Sequence, residues 1–230
     1  MKKYLKKLDA FINQLEKISP LSNIVFEKEP GLLPDNWVDL KEQFSVSISE
    51  DVKLFYKEIN GFTLSWEYHS DELEKQNLFI EGFARILSFS EMMAGFDGRL
   101  WRNELWDDKT PGADQVFYKR LKVFDYFGKD NVHCVCLELS TENLLTNKLW
   151  IFRQGNKPVP MSINIDEYID KLCFTKGFWG WQYLYTDDAF SLKDLEGVQT
   201  DIDLALNNYS KIFPENVYNE LTELYHKKQK

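Results

Sequence analysis

Apolar positions recur along this chain with two different periods, and the switches between them mark out most of its elements. In residues 48–59, Val52, Phe55, Tyr56 and Ile59 fall at i, i+3, i+4 and i+7, the spacing of one helical face. Ser47 or Ser49 is placed to cap the start, and Glu50 and Asp51 follow in a first turn whose exposed backbone N–H groups favour negative charge. Asn60 and Gly61 predict the stop, because the residue after a helix commonly turns left-handed and these two types tolerate that conformation best. From Phe62 the period becomes two. Phe62, Leu64, Trp66 and Tyr68 point one way and Thr63, Ser65, Glu67 and His69 the other, which assigns Trp66 to the core.

Tyr4, Leu8, Phe11, Ile12, Leu15 and Ile18 predict an opening helix that Pro20 stops. A short strand is expected at 23–27, a turn at Pro30, Gly31 and Pro34, and then a helix capped by Asp35 or Asn36 and carrying Trp37, Leu40 and Phe44. After a polar loop at 70–77, residues 78–87 predict a strand in which Gly82 marks a bulge or a close approach. Ser88 and Glu91 form a capping box for a short helix closed by Gly95. Residues 97–120 are less regular, with Trp101, Trp106 and a Thr110-Pro111-Gly112 turn, and predict an insertion. Residues 121–127 and 132–139 predict a hairpin, with a third strand at 148–153 and a turn at 154–156. Asn164 caps a helix with Ile165, Ile169, Leu172 and Cys173 inward, ended by Gly177. The tract 178–185, FWGWQYLY, fits neither period, and two terminal helices are expected near 200–212 and from Pro214. The pattern adds up to an α+β fold with a central, mostly antiparallel sheet and helices packed on one face. Residues 1–177 are expected to form the core domain and 178–230 a helical C-terminal extension packed on it.

At 230 residues, 43% hydrophobic and 15% aromatic, the chain is large enough for a core without staples. It opens on a charged amphipathic helix without an apolar signal core, and its longest apolar runs are far short of a bilayer span, so a cytoplasmic protein with no membrane partner is expected. Three cysteines make no disulfide framework, which suits reduced thiols. The formal charge of −9 repels phosphate backbones and argues against nucleic acid, while suiting a basic protein partner.

Candidate chemistry is sparse. Cys134 and Cys136 share one side of a strand, but two thiolates leave a tetrahedral zinc site incomplete and His133 points to the opposite side. No Gly-x-Ser-x-Gly elbow, Walker loop or Gly-x-Gly-x-x-Gly occurs, so no catalytic residue, metal or cofactor is assigned. The acid pairs Asp71-Glu72, Asp107-Asp108 and Asp187-Asp188 read first as solvated turns, and second as groups that steer a basic partner. Most large aromatics pack in a core, but Trp101, Trp106, Trp179, Trp181 and Tyr183 are too many to bury comfortably together, so they are read first as core and second as partner-contact candidates beside Asp107, Asp108, Asp187 and Asp188. Asn60, Gly61, Trp66, Gly82 and Ser88 are structural.

The order of these parts resembles the SMI1/KNR4 family of the SUKH superfamily. The stretches that carry the likeness are 55–61, reading FYKEING, then 86–92, 123–139 and 163–173, spanning about residues 1–177. The chain departs from the family pattern in the 97–120 insertion and in everything after Gly177. The resemblance implies a non-catalytic, protein-binding domain of the bacterial immunity type, neutralising a cognate toxin by direct binding. The alternative it leaves is an intracellular scaffold or regulatory protein of the same fold; the acid pairs leave, more remotely, a carboxylate-based hydrolase. Only five of 28 basic residues are Arg, which agrees with an AT-rich bacterial coding sequence.

Overall fold

The structure, a computed structural model, describes residues 2–19, 21–94, 111–127, 133–153, 156–186, 196–213 and 218–228. In chain order these form α1 (Lys3–Leu15), β1 (Leu21–Pro30), α2 (Pro34–Phe44), β2 (Ser47–Ile48), α3 (Glu50–Glu58), β3 (Ile59–Tyr68) and α4 (Asp71–Glu74). Then come β4 (Ile80–Ile86), α5 (Phe89–Ala94), α6 (Gly112–Tyr118), β5 (Leu121–Tyr126), β6 (His133–Leu139), β7 (Leu144–Arg153) and β8 (Val159–Pro160). After α7 (Ile165–Phe174), a 3-10 turn at Trp181–Tyr185 leads to α8 (Glu196–Ile212) and α9 (Tyr218–Lys228).

Among the described residues the strands make one sheet in the order β1-β3-β4-β5-β6-β7-β2, with β8 added on β7, and only the β2–β7 pairing is parallel. The architecture is therefore α+β, as the pattern predicts. Alternation on β3 and β4 buries Phe62, Leu64, Trp66 and Tyr68 beside Ile86, Ala84, Gly82 and Ile80, their register partners, and leaves Thr63, Ser65 and Glu67 half-buried. On β7, Asn147 accepts the first amide of α7 from Ile165 and donates to Asp51 of α3, so α3 and α7 lie on the Asn147–Leu149–Ile151 side. Helix α6 covers the other side, setting Phe117 against Trp150 and Tyr118 against Phe152. Helices thus pack on both faces of the strongly apolar β5–β7 section, not on one face as its sequence suggested. That is why all six residues of β5 are buried.

Several boundaries differ from the periodicity. Helix α3 ends at Glu58, and β3 begins at Ile59, so Asn60 and Gly61 lie inside the strand instead of stopping the helix. Gly61 has φ +102° and a Cβ there would lie 2.8 Å from Ile86 O and Ser88 N, so the glycine serves a close approach to the β4–α5 link. Asn60 accepts the Phe89 amide at 3.0 Å, which makes it part of the start of α5. The predicted capping box is present: Ser88 N donates to Glu91 Oε2 at 3.0 Å and Glu91 N to Ser88 Oγ at 3.3 Å. At α2 the cap position is Leu33, with Pro34 opening the helix and Asn36 folding back onto the Leu33 amide. The polar loop at 70–77 contains α4, capped by Ser70, and Pro111 precedes a helix, not a turn. The expected close approach at Gly82 is real: a Cβ would lie 2.0 Å from Trp66 Nε1.

Helix α1 has no side-chain cap of its own. Glu58, only 7% exposed, closes it from α3 by accepting the backbone N–H groups of Lys3 at 2.8 Å, Tyr4 at 2.7 Å and Leu5 at 3.3 Å. A carboxylate there also meets the positive end of the helix dipole. Glu58→Ala is expected to lower the unfolding free energy by about 2 kcal/mol in urea titrations, and Glu58→Gln by about half as much, because the amide keeps one acceptor.

Candidate functional site

The sheet comes apart between β4 and β5, and the chemistry of the molecule gathers there. The two strands share one register pair, Ile86 with Asp125, followed by a bond from Leu87 N to Phe124 O at 2.9 Å. A bulge in β5 between Val123 and Asp125 shifts the side-chain alternation, so that both Phe124 and Asp125 meet Tyr168 of α7. Beyond the shared pair, β4 takes other partners. Arg85 N donates to Asp125 Oδ1 at 2.9 Å, Phe83 N to Gly177 O at 2.9 Å, and Glu81 O accepts from Trp179 N at 3.1 Å. Residues 177–179 therefore run along β4 where a strand would, with Phe178 bridged to Gly82.

Asp125 and Gln182 have no exposed surface and Tyr168 has none either. The Tyr168 hydroxyl donates to Asp125 Oδ2, and Gln182 Nε2 donates to the same oxygen at 3.2 Å. Among the described residues no cation pairs with this carboxyl. Burial consequently pushes its pKa up to about 6, against the lowering effect of the bonds from Tyr168, the Arg85 amide, Gln182 and the Tyr126 amide. Burial and the neighbouring carboxylate also hold the Tyr168 hydroxyl well above its ordinary range. The group is closed to solvent, so it can hold the fold and exchange a proton but cannot meet a substrate as it stands.

Past this centre the opening widens into a groove of about 480 Å³. The segment leading into β4 supplies one wall with Leu78 and Phe79, each 40% exposed. The opposite wall is α8, whose Gly197, Val198, Asp201, Leu204 and Ala205 recur at helical spacing. Trp179 lies between them, half-buried, with its indole N–H donated to Phe127 O at 3.0 Å. His133 and Arg153, register partners at the ends of β6 and β7, close the inner end, and Glu81 adds an acid. His133 is 4% exposed and its Nδ1 lies 2.7 Å from the Tyr183 hydroxyl.

The expected contact residues divide sharply. Trp101, Trp106, Asp107, Asp108, Asp187 and Asp188 lie outside the described residues. Trp181 and Tyr183 are fully buried, Trp181 against Tyr168 and Tyr183 against Phe127 and His133, so the aromatic tract is core and these two are not surface contacts in this arrangement. Of the tract, Trp179 lines the groove. Asn60, Gly61, Trp66, Gly82 and Ser88 hold the scaffold positions already described. Cys134 and Cys136 are both buried with sulfurs 3.7 Å apart, and among the described residues no three His, Cys, Asp or Glu side chains gather to hold a metal ion. His133 does face away from the two thiols, as strand alternation requires. No family model matches the chain, and no curated protein matches it.

Asp125, Tyr168, Gln182, Phe79 and the α8 wall were not singled out by sequence. The available signals were slight: one acid inside the apolar run LKVFDYF, and a 198–205 stripe on a helix whose partner surface is remote in sequence. Tyr183→Phe removes the bond to His133 while keeping the ring, and is expected to cost about 1 kcal/mol of stability in denaturant titrations, with the helix content by circular dichroism unchanged.

Proposed function

We propose that this chain is a non-catalytic protein-binding domain of the immunity type, which neutralises a cognate toxin by direct binding. The observation that carries the reading is the groove. It offers solvent-facing Leu78 and Phe79, a half-buried tryptophan fixed by a backbone hydrogen bond, and charged groups at its margins. Large apolar and aromatic anchors framed by polar groups are the composition of binding hot spots. The formal charge of −9 favours a basic partner, whose approach the long-range field would accelerate. The immunity assignment itself rests on the SMI1/KNR4-like order of elements read from the sequence. The Asp125 carboxyl, whose acidity burial shifts upward, is sealed from solvent, so it offers a carboxylate-based hydrolase no group that meets a substrate.

The test is to mix the purified protein with the toxin domain encoded beside its gene and to measure complex formation and survival. A stoichiometric complex that abolishes toxicity is expected, with association slowing as salt is raised. Replacing Leu78 and Phe79 together by Ala is expected to weaken the complex at least about tenfold, or about 1.4 kcal/mol, without moving the thermal midpoint of the free protein. No binding, together with unchanged sensitivity of cells lacking the gene, would end this reading.

A further inference from the structure

Asp125 is placed where it controls a segment, not merely where it fills space. The tract from Phe178 to Thr186 is tied by backbone bonds at both ends: Trp179 N to Glu81 O at 3.1 Å on one side, and Ser162 N to Tyr185 O at 2.9 Å on the other. Its middle is held by side chains, with Gln182 on Asp125 and Tyr183 on His133. Gln182 is fully buried, spends an amide N–H on Asp125 Oδ2, and among the described residues has no hydrogen-bond partner for Oε1. Both protonation states of Asp125 can keep this contact. The ionised carboxylate accepts from the amide N–H. A carboxylic acid protonated on Oδ2 donates to Oε1 once the amide turns over, while Oδ2 still accepts from Tyr168.

We propose that Asp125 and Gln182 form a proton-operated latch on the 178–186 tract, closed when Asp125 is the neutral acid and biased to open when it ionises. The direction follows from burial with no cation paired to the carboxyl among the described residues. Opening the tract returns the carboxyl to water, which stabilises the charged form far more than the neutral one. The closed state therefore binds the proton more tightly than the open state, and raising the pH favours opening. The upward displacement to about 6 agrees in sign and sets the window, from the ordinary carboxylate value near 4 up to about 6. Few other titratable groups face this site. On β4, Arg85 turns its guanidinium toward Glu91 at 4.0 Å. Tyr168 on α7 bonds the carboxyl, Cys134 on β6 lies near enough to act on the Tyr168 hydroxyl, His133 is engaged by Tyr183, and Lys122 and Tyr126 are the titratable neighbours in sequence on β5. Trp179 carries the consequence to the groove, since it belongs to the latched tract and lines the binding wall. That consequence for a partner rests on the proposed function above. The latch does not, because it is read with no partner present.

The test is native-state hydrogen exchange on the full chain from pH 4 to pH 7, with intrinsic exchange rates divided out. Protection of the Trp181–Thr186 amides is expected to fall as pH rises to about 6, by up to about 100-fold, relative to the Leu64 and Trp66 amides. Asp125→Asn, which keeps the shape and cannot titrate, is expected to abolish that relative fall. A fall that persists in Asp125→Asn, or one shared in parallel by β3, or no fall, overturns the latch. If Asp125→Asn does not fold, the wild type decides: an Asp125 side-chain carboxyl midpoint near 6 that coincides with the fall in 181–186 protection supports the latch, and a midpoint near 4, or a fall that does not follow the midpoint, overturns it.

Discussion

Trp66 lying across Gly82 is the contact on which the rest of the structure depends. A Cβ at position 82 would fall 2.0 Å from Trp66 Nε1 and 2.2 Å from Cε2, so only glycine lets the indole lie flat on the neighbouring strand. In that position Trp66 donates its N–H to Lys176 O at 2.7 Å and meets Phe213 edge-on at 5.5 Å. One side chain thereby joins β3, the end of α7 and the end of α8. Lys176 and Gly177 both adopt positive φ, +57° and +68°, which turns the chain out of α7 and back along β4. Residues 177–179 then bond to the strand edge, and the aromatic tract behind them is carried inward.

The opening of the sheet and the groove follow from that placement. Because 177–179 occupy the edge of β4, β5 cannot continue its pairing there, and the bulge at Phe124 turns Asp125 to finish the ladder with its side chain. A carboxylate is costly in such a site, and among the described residues four donors offset the cost without a cation. The opposite rim of the opening stays apolar, with Phe79, Trp179 and the inward stripe of α8. A sealed acid and an open aromatic groove are thus two ends of one separation between strands, a common place for proteins to form binding sites.

Much of the scaffold was legible because it depends on local rules. Helical stripes such as Tyr4, Leu8, Phe11 and Leu15, the alternation of Phe62 to Tyr68, and the caps at Ser88 and Asn164 all depend on neighbours within a few residues. Asn60-Gly61 misled because an Asn-Gly pair signals any tight backbone requirement. Here the requirement comes from residues 86–88, remote in sequence, and not from the end of the helix. The tract FWGWQYLY gave no period because its burial is decided by partners that no local pattern shows: Tyr168 for Trp181, His133 for Tyr183, Gly82 for Phe178. Asp125 was hidden for a similar reason. Strand alternation assigns each residue a side, and a single bulge reverses that assignment without leaving a mark on composition.

Residues after Gly177 complete the core instead of decorating it, since Phe178, Trp181, Tyr183 and Phe213 are all buried. A chain ending at Gly177 tests this most directly, compared with the full chain by near-ultraviolet circular dichroism and thermal unfolding. Without Phe178, Trp181, Tyr183 and Phe213 the truncated chain is expected to lose the sharp aromatic signal and the cooperative transition. A native-like aromatic spectrum with a cooperative transition would contradict the claim.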